Sequence, residues 1–185
     1  MAGYRKRNTE GPSSEDKALD LFAEMMIEKI ESIHKDWRKP WFTEGALQWP
    51  RNLSGREYNG MNALMLLLHC ENEGYKIPRF CTFDCVQRLN KPGKDGQELP
   101  RVSVLKGEKS FPVMLTTFTC IHKETKEKIK YDDYKKLSDE EKAQYNVYPK
   151  MQVFRVFNVA QTNLREARPE LWEQLEVENG KRIEN

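Results

Sequence analysis

Between Trp37 and Met61 the chain sets Trp37, Trp41, Phe42, Trp49 and Tyr58 among Arg38, Lys39, Arg51 and Arg56, within a run rich in Asn, Ser and Gly. Flat rings can stack on unpaired nucleobases, for ~1–3 kcal/mol per base. Guanidinium and ammonium groups neutralise phosphates, and backbone amides in Gly-rich turns can cradle them. Asn52, Asn59 and Asn62 carry amides that either read base edges or hold the loop. Gly60, at the entrance of an apolar helix, leaves the first amides of that helix open to an anion. Taken singly, each aromatic is as readily a packing residue: Trp37 follows the first helix at core spacing, and Pro40-Trp41 and Trp49-Pro50 can lock a long loop. Together with a basic turn at Lys106, the cluster favours binding of single-stranded nucleic acid.

Catalytic patterns are missing from the sequence. The three histidines, His34, His69 and His122, form no HExxH; His69-Cys70-Glu71-Asn72-Glu73 lacks a second His. No GxSxG, P-loop or GxGxxG occurs. Cys70, Cys81, Cys85 and Cys120 do not make the CxxC knuckle of a zinc site, and buried thiols acting as small hydrophobes account for them equally well. Asp132-Asp133 and Glu140-Glu141 fall in a lysine-rich stretch with no desolvating pocket to raise a carboxyl pKa. A non-enzyme without cofactor or metal is expected; an enzyme whose metal is held by the scattered Cys and His stands as the weaker alternative.

The elements that must position these residues follow from periodicity. Ser13-Ser14-Glu15-Asp16 caps a helix whose Leu19, Phe22, Met26, Ile30 and Ile33 recur at helical spacing, ending near Trp37. A second helix runs from about Asn59 to Glu73, stopped by Gly74. Arg79–Thr82 is a short strand, and Thr82 caps a helix carrying Phe83, Val86 and Leu89. Strands are expected at Val102–Leu105, Phe111–Ile121 and Met151–Val159. Ser138 opens a small helix with capping-box spacing to Glu141, and Leu164–Glu178 is a closing helix interrupted by Pro169. The sum is an α+β domain: N-terminal helices packed on a small antiparallel β-sheet, with a C-terminal helix. Residues 1–12 read as a disordered lead-in, 13–178 as the domain with a charged insertion at 123–150, and 179–185 as a tail or linker.

With 185 residues, 32% of them charged, the net charge is only +2. The charge is uneven: residues 87–109 hold six Lys or Arg against three acids, and residues 163–185 hold four basic residues against six Glu. One positive face is therefore possible without a basic chain. The polar N-terminus carries no apolar stretch of a signal peptide, and no run of ~18 apolar residues exists. A cytoplasmic protein with reduced cysteines and no membrane contact is expected.

Several motifs carry a family resemblance. Pro40-Trp41, Pro50-x-Asn52-x-Ser54-Gly55-Arg56-x-Tyr58-x-Gly60-Met61-Asn62, Pro78-Arg79-Phe80-x-Thr82, Val104-x-Lys106-Gly107-Glu108-Lys109 and Phe154-x-Val156-Phe157-Asn158-Val159-x-Gln161-Thr162 resemble the N-terminal domain of ArdC-type antirestriction proteins. The resemblance spans about residues 14–165. It implies a single-stranded DNA-binding module of conjugative plasmids and transposons, followed in that family by a zinc metallopeptidase domain. No such domain follows here, which suggests a fragment of a longer protein. DNA contacts are then expected from Trp41, Arg51, Asn52, Arg56, Tyr58, Asn62, Arg79, Phe80, Lys106, Lys109, Asn158 and Gln161. Where relatives often carry W-x-T-x-x-Q, this chain has Phe80 and Cys85; Phe80 is expected to keep a stacking face, while Cys85 loses a polar contact. Asn158 and Gln161 end a strand and can instead organise a turn. The alternative partner is a protein, either a restriction enzyme or a replication protein, with the exposed aromatics as anchors.

Overall fold

Residues 60–73 are apolar on nearly every side, which suits a helix enclosed by the rest of the chain rather than one lying on it. A computed structural model describes residues 11–35, 48–91 and 99–180. In it this segment is helix α2, Gly60–Glu73, with Ala63, Met65, Leu66, Leu67, Leu68 and Cys70 buried. It stops where expected: Gly74 takes the left-handed conformation (φ 71°), and its N–H caps the carbonyls of Cys70 and Glu71.

The other elements are α1 (Ser14–Lys35), β1 (Arg51–Asn52), β2 (Arg79–Thr82), α3 (Phe83–Leu89), β3 (Phe111–His122), β4 (Lys128–Ile129), α4 (Tyr131–Tyr134), α5 (Asp139–Lys142), β5 (Tyr145–Asn158), α6 (Leu164–Ala167) and α7 (Pro169–Gly180). A 3₁₀ turn, Val159–Gln161, follows β5. The strands are ordered β1-β2-β5-β3-β4. The expected α+β class holds, and the sheet is mixed: β1 runs parallel to β2, whereas β2–β5 and β3–β4 are antiparallel.

The chain divides into two units, residues 1–18 with 114–154, and residues 19–113 with 155–185. In the larger unit, Ile77, Cys81, Val86, Val102, Val159, Leu164, Ala167 and Leu175 form one buried cluster. α1 is tied to α2 by Lys29, whose ammonium donates to both carboxylate oxygens of Glu71 (2.9 and 2.7 Å), and by rings: Phe111 lies stacked between Phe22 and His69. Thr82 caps α3 as expected, its hydroxyl accepting from the Cys85 N–H at 3.2 Å.

The smaller unit is a hairpin arm with short helices. Its Ser138–Glu141 capping box forms as expected. The stretch read as an insertion is therefore structured, and β5 begins at Tyr145, well before Met151. The strand expected at Val102–Leu105 does not form; a single bridge joins Val104 to Thr162. Some of its backbone groups are taken by side chains, while Leu105 N–H and the Ser103 carbonyl bond the backbone of residues 161 and 163. Asn90 bonds both the N–H and the carbonyl of Val102 (2.7 and 2.8 Å), and Asn163 accepts from Ser103 N–H at 2.7 Å. The expected end of α1 near Trp37 lies outside the described residues. Among the described residues no helix is long and apolar enough to cross a membrane.

Leu66 has no solvent exposure, so Leu66→Ala should cost about 2–5 kcal/mol in urea unfolding. Leu19→Ala, at a side chain 47% exposed, should change stability by no more than about 0.5 kcal/mol.

Candidate nucleic-acid interface

The polar run ahead of α2 folds into a small closed turn. Arg51 and Glu57 face each other as an isolated antiparallel bridge and form an ion pair. Inside that bridge Asn52 N–H donates to the Arg56 carbonyl (2.8 Å) and Gly55 N–H to the Asn52 carbonyl (2.9 Å). The Asn52 side-chain oxygen accepts from Arg56 N–H (2.9 Å) and from the Ser54 hydroxyl (2.8 Å). Asn52 is thus occupied in holding the turn, as Asn does where a backbone needs an extra acceptor. Arg56 is left exposed on it.

This turn is fastened to the sheet. Arg51 N–H donates to the Pro78 carbonyl (3.0 Å) and Leu53 N–H to the Phe80 carbonyl (2.9 Å). The Tyr58 ring meets Phe80 edge-on, with centroids 6.2 Å apart. Burial pushes the Tyr58 phenol up to about 12, with nearby Cys81 and Cys85 adding to the shift, so the hydroxyl stays protonated. Trp49 donates its indole N–H to the Tyr58 carbonyl at 2.6 Å while 45% of the residue remains exposed. A flat ring is thereby fixed beside Arg56's turn and partly open to solvent.

The basic turn at Lys106 is built on glycine. Glu108 N–H donates to the Leu105 carbonyl (3.3 Å), and Gly107, at φ 93°, occupies the position that a type II turn reserves for positive φ. Lys106 and Lys109 are exposed. What fixes this turn is Gln161, which donates to the Lys109 carbonyl (2.9 Å) and to the Glu108 carboxylate (2.8 Å). Gln161 in turn accepts from the Asn158 backbone N–H at 2.8 Å. Asn158, with no exposure, accepts from Ala160 N–H (2.9 Å) and donates to the Ile77 carbonyl (3.0 Å).

The expected contacts therefore separate into two groups. Arg56, Lys106 and Lys109 are at the surface, with Tyr58 and Asn62 half-buried. Phe80, Asn158, Gln161 and Arg79 are inside, at 0%, 0%, 3% and 5% exposure, and Arg79 pairs with Glu178 of α7. Phe80 keeps no open stacking face: it is fully buried, with Tyr58 edge-on to its ring. Arg51 is held by Glu57. Trp41 lies outside the described residues. Phe83, expected on the helix with Val86 and Leu89, is 56% exposed while Val86 is buried. Its position directly after the capping Thr82 is the only sequence sign that it begins the helix on an open side.

Among the described residues no cluster of three or more His, Cys, Asp or Glu could hold a metal ion. Burial pushes the Cys70 and Cys81 thiols up to about 12, which leaves almost no thiolate at neutral pH.

The model of the N-terminal domain of the anti-restriction factor ArdC matches residues 16–158. The chain belongs to this ArdC family. Among solved structures it is similar to the antirestriction ArdC protein from plasmid R388. The metal-free form is 25% identical, with a TM-score of 0.44, over 78% of this chain and 42% of that one. The Mn(II)-bound form is 24% identical, with a TM-score of 0.44, over 78% and 40%. The matched region is thus less than half the length of the R388 ArdC chain. No curated protein matches. Against the ArdC domain's match, the turn motifs at 50–62 and 104–109 and the polar pair Asn158–Gln161 all lie inside or just past the matched span.

The Asn158 network generates a test. Asn158→Leu would strand the Ile77 carbonyl and the Ala160 N–H, and should cost about 2–3 kcal/mol in urea unfolding. Amide exchange at Leu105, which donates to the Gln161 carbonyl at 2.9 Å, should speed up more than exchange in α2.

Proposed function

We propose that this chain binds single-stranded DNA, without catalysis and largely without regard to base sequence, as part of a cytoplasmic antirestriction protein of a mobile genetic element. The observation that carries this reading is the pair of rigid turns. Arg56 and Lys106 each sit exposed on a hydrogen-bonded turn, and among the described residues neither has an acid within ion-pair distance. Cations held this way can neutralise phosphates without giving up an internal partner or ordering a loop on binding. The fixed, half-open ring of Trp49 adds what a duplex cannot use and an unpaired base can. Family membership supports the antirestriction context. Asn52, Phe80, Asn158 and Gln161 act in this reading as supports that hold the turns, and Tyr58 as the ring between support and surface.

Fluorescence anisotropy with labelled ~20-nucleotide single strands and the matching duplex, at several salt concentrations, tests the proposal. Tighter binding to the single strand is expected, weakening with salt. Arg56→Ala with Lys106→Ala should flatten the log–log salt slope by about 1.4, since each lost phosphate contact on a single strand is worth ~0.7. Trp49→Ala should weaken binding roughly tenfold at every salt concentration and leave that slope alone. A double variant that binds as the parent does at all salt concentrations would show the turns to be misassigned.

A further inference from the structure

The groove that α1 and α2 form with the segment leading into β3 encloses about 350 Å³, within the ~300–1,000 Å³ typical of small-molecule sites. Its lining is unusual in charge. Glu24 and Glu28, one turn apart on α1, and Glu73 on α2 supply carboxylates; Lys109 and Arg155 supply cations. Among the described residues none of these five forms an ion pair, although both signs line one cavity. His69 also lines it, and its Nε2 is cut off from solvent with no hydrogen-bond partner among the described residues. A buried polar atom without a partner is rare enough to call for one.

These features select a ligand by elimination. A bare anion would meet three carboxylates, and an apolar ligand would strand five charges. A cation would need ligands gathered more closely than any found among the described residues. What fits is a molecule with an anionic end and a hydrogen-bond-donating end, joined by a flat polar body that can engage a neutral imidazole. Burial lowers the pKa of His69, which keeps that ring neutral.

Resting on the single-strand reading above, we infer that the groove takes one nucleotide unit with an amino-bearing base. Its phosphate sits on Lys109 and Arg155, its exocyclic amine donates to Glu73 or Glu28, and another polar edge of the base pairs with His69 Nε2. Carboxylates accept from the amino group of cytosine, and thymine has no such group. A chain that binds strands of any sequence would thereby carry a local preference at one position.

Amide-resolved NMR of the 185-residue chain, titrated with dCMP, dTMP and inorganic phosphate, tests this, alongside anisotropy with dC20 and dT20. Saturable shifts around His69, Glu73 and Ser110 are expected with dCMP, at roughly tenfold lower concentration than with dTMP. Lys109→Ala with Arg155→Ala should abolish them, with thermal melting as the control for folding. Glu28→Gln with Glu73→Gln should bring the dCMP-to-dTMP ratio close to one. Equal binding of dCMP and dTMP to the parent, or the same shifts from phosphate alone, would overturn the nucleotide assignment. No shift with any mononucleotide while dT20 still binds would overturn the groove and leave the turns standing. Binding of dCMP without binding of either strand would do the reverse.

Discussion

Asn158 ties the segment ahead of β2 to the turn after β5 through its buried side chain. Its side chain has no access to water, so each polar atom must find a partner inside the protein or cost about 1–3 kcal/mol. It bonds the Ile77 carbonyl ahead of β2 and the Ala160 N–H after β5. Its own N–H goes to Gln161, and Gln161 reaches the backbone of the 105–109 turn. Hydrophobic packing around α2 and Val159 fixes that these segments lie together, but such packing has no direction. The amide network supplies direction, because an amide bonded at both ends tolerates little rotation. The placement of Lys106 and Lys109 is inherited from it.

The same logic applies at the other turn. Phe80 is buried in β2, its carbonyl receives Leu53 N–H, and its ring carries the edge of Tyr58. Tyr58 in turn accepts the Trp49 indole N–H on its carbonyl. From core to surface the order is apolar ring, partly buried phenol, exposed indole and exposed guanidinium. Binding surfaces lose affinity to every side chain that must be ordered on association. Here ordering is done by folding, through groups that a ligand never needs to touch. Phe80, Asn158 and Gln161 thus hold the exposed turns in place from inside the protein.

Much of this was legible in the sequence, and the failures have physical causes. α2, the Gly74 stop, the Thr82 cap and the Ser138–Glu141 box were readable because each depends on residues within a turn of one another. The Val102–Leu105 strand was misread because its β-prone residues are satisfied by Asn90 and Asn163, partners 12 and 60 residues away. β5 was read short because Pro149 and Lys150 interrupt the apolar pattern in a strand that is mostly exposed there. At the candidate site residue types were informative and exposure was not. An Arg in a basic motif reads alike whether it has no ion pair among the described residues, as Arg56 has none, or is paired with a distant acid, as Arg79 is with Glu178. Trp41 falls outside the described residues, and no such comparison applies to it.

The hairpin arm shows how little lysine density says about local charge. Residues 123–150 hold eight lysines, more than any other stretch of similar length, and by count alone they outweigh the cations of the turns. Their ammonium groups are largely spoken for. Lys135, Lys136 and Lys142 pair with Asp132, Asp133 and Asp139 one turn away, and Lys123 and Lys126 donate to the Ala143 and Lys123 carbonyls. The seven acids of the stretch cancel most of the remaining field. Its aromatics are also engaged with one another: Phe118 stacks on Tyr131, Tyr131 on Tyr134, and Tyr145 meets both Tyr134 and His122 edge-on. That ladder replaces an apolar core in a unit too small to bury one. Lysine density is therefore a poor guide to phosphate affinity in this chain. Two cations on locked turns, without an ion pair among the described residues, present a stronger local charge than eight lysines interleaved with acids.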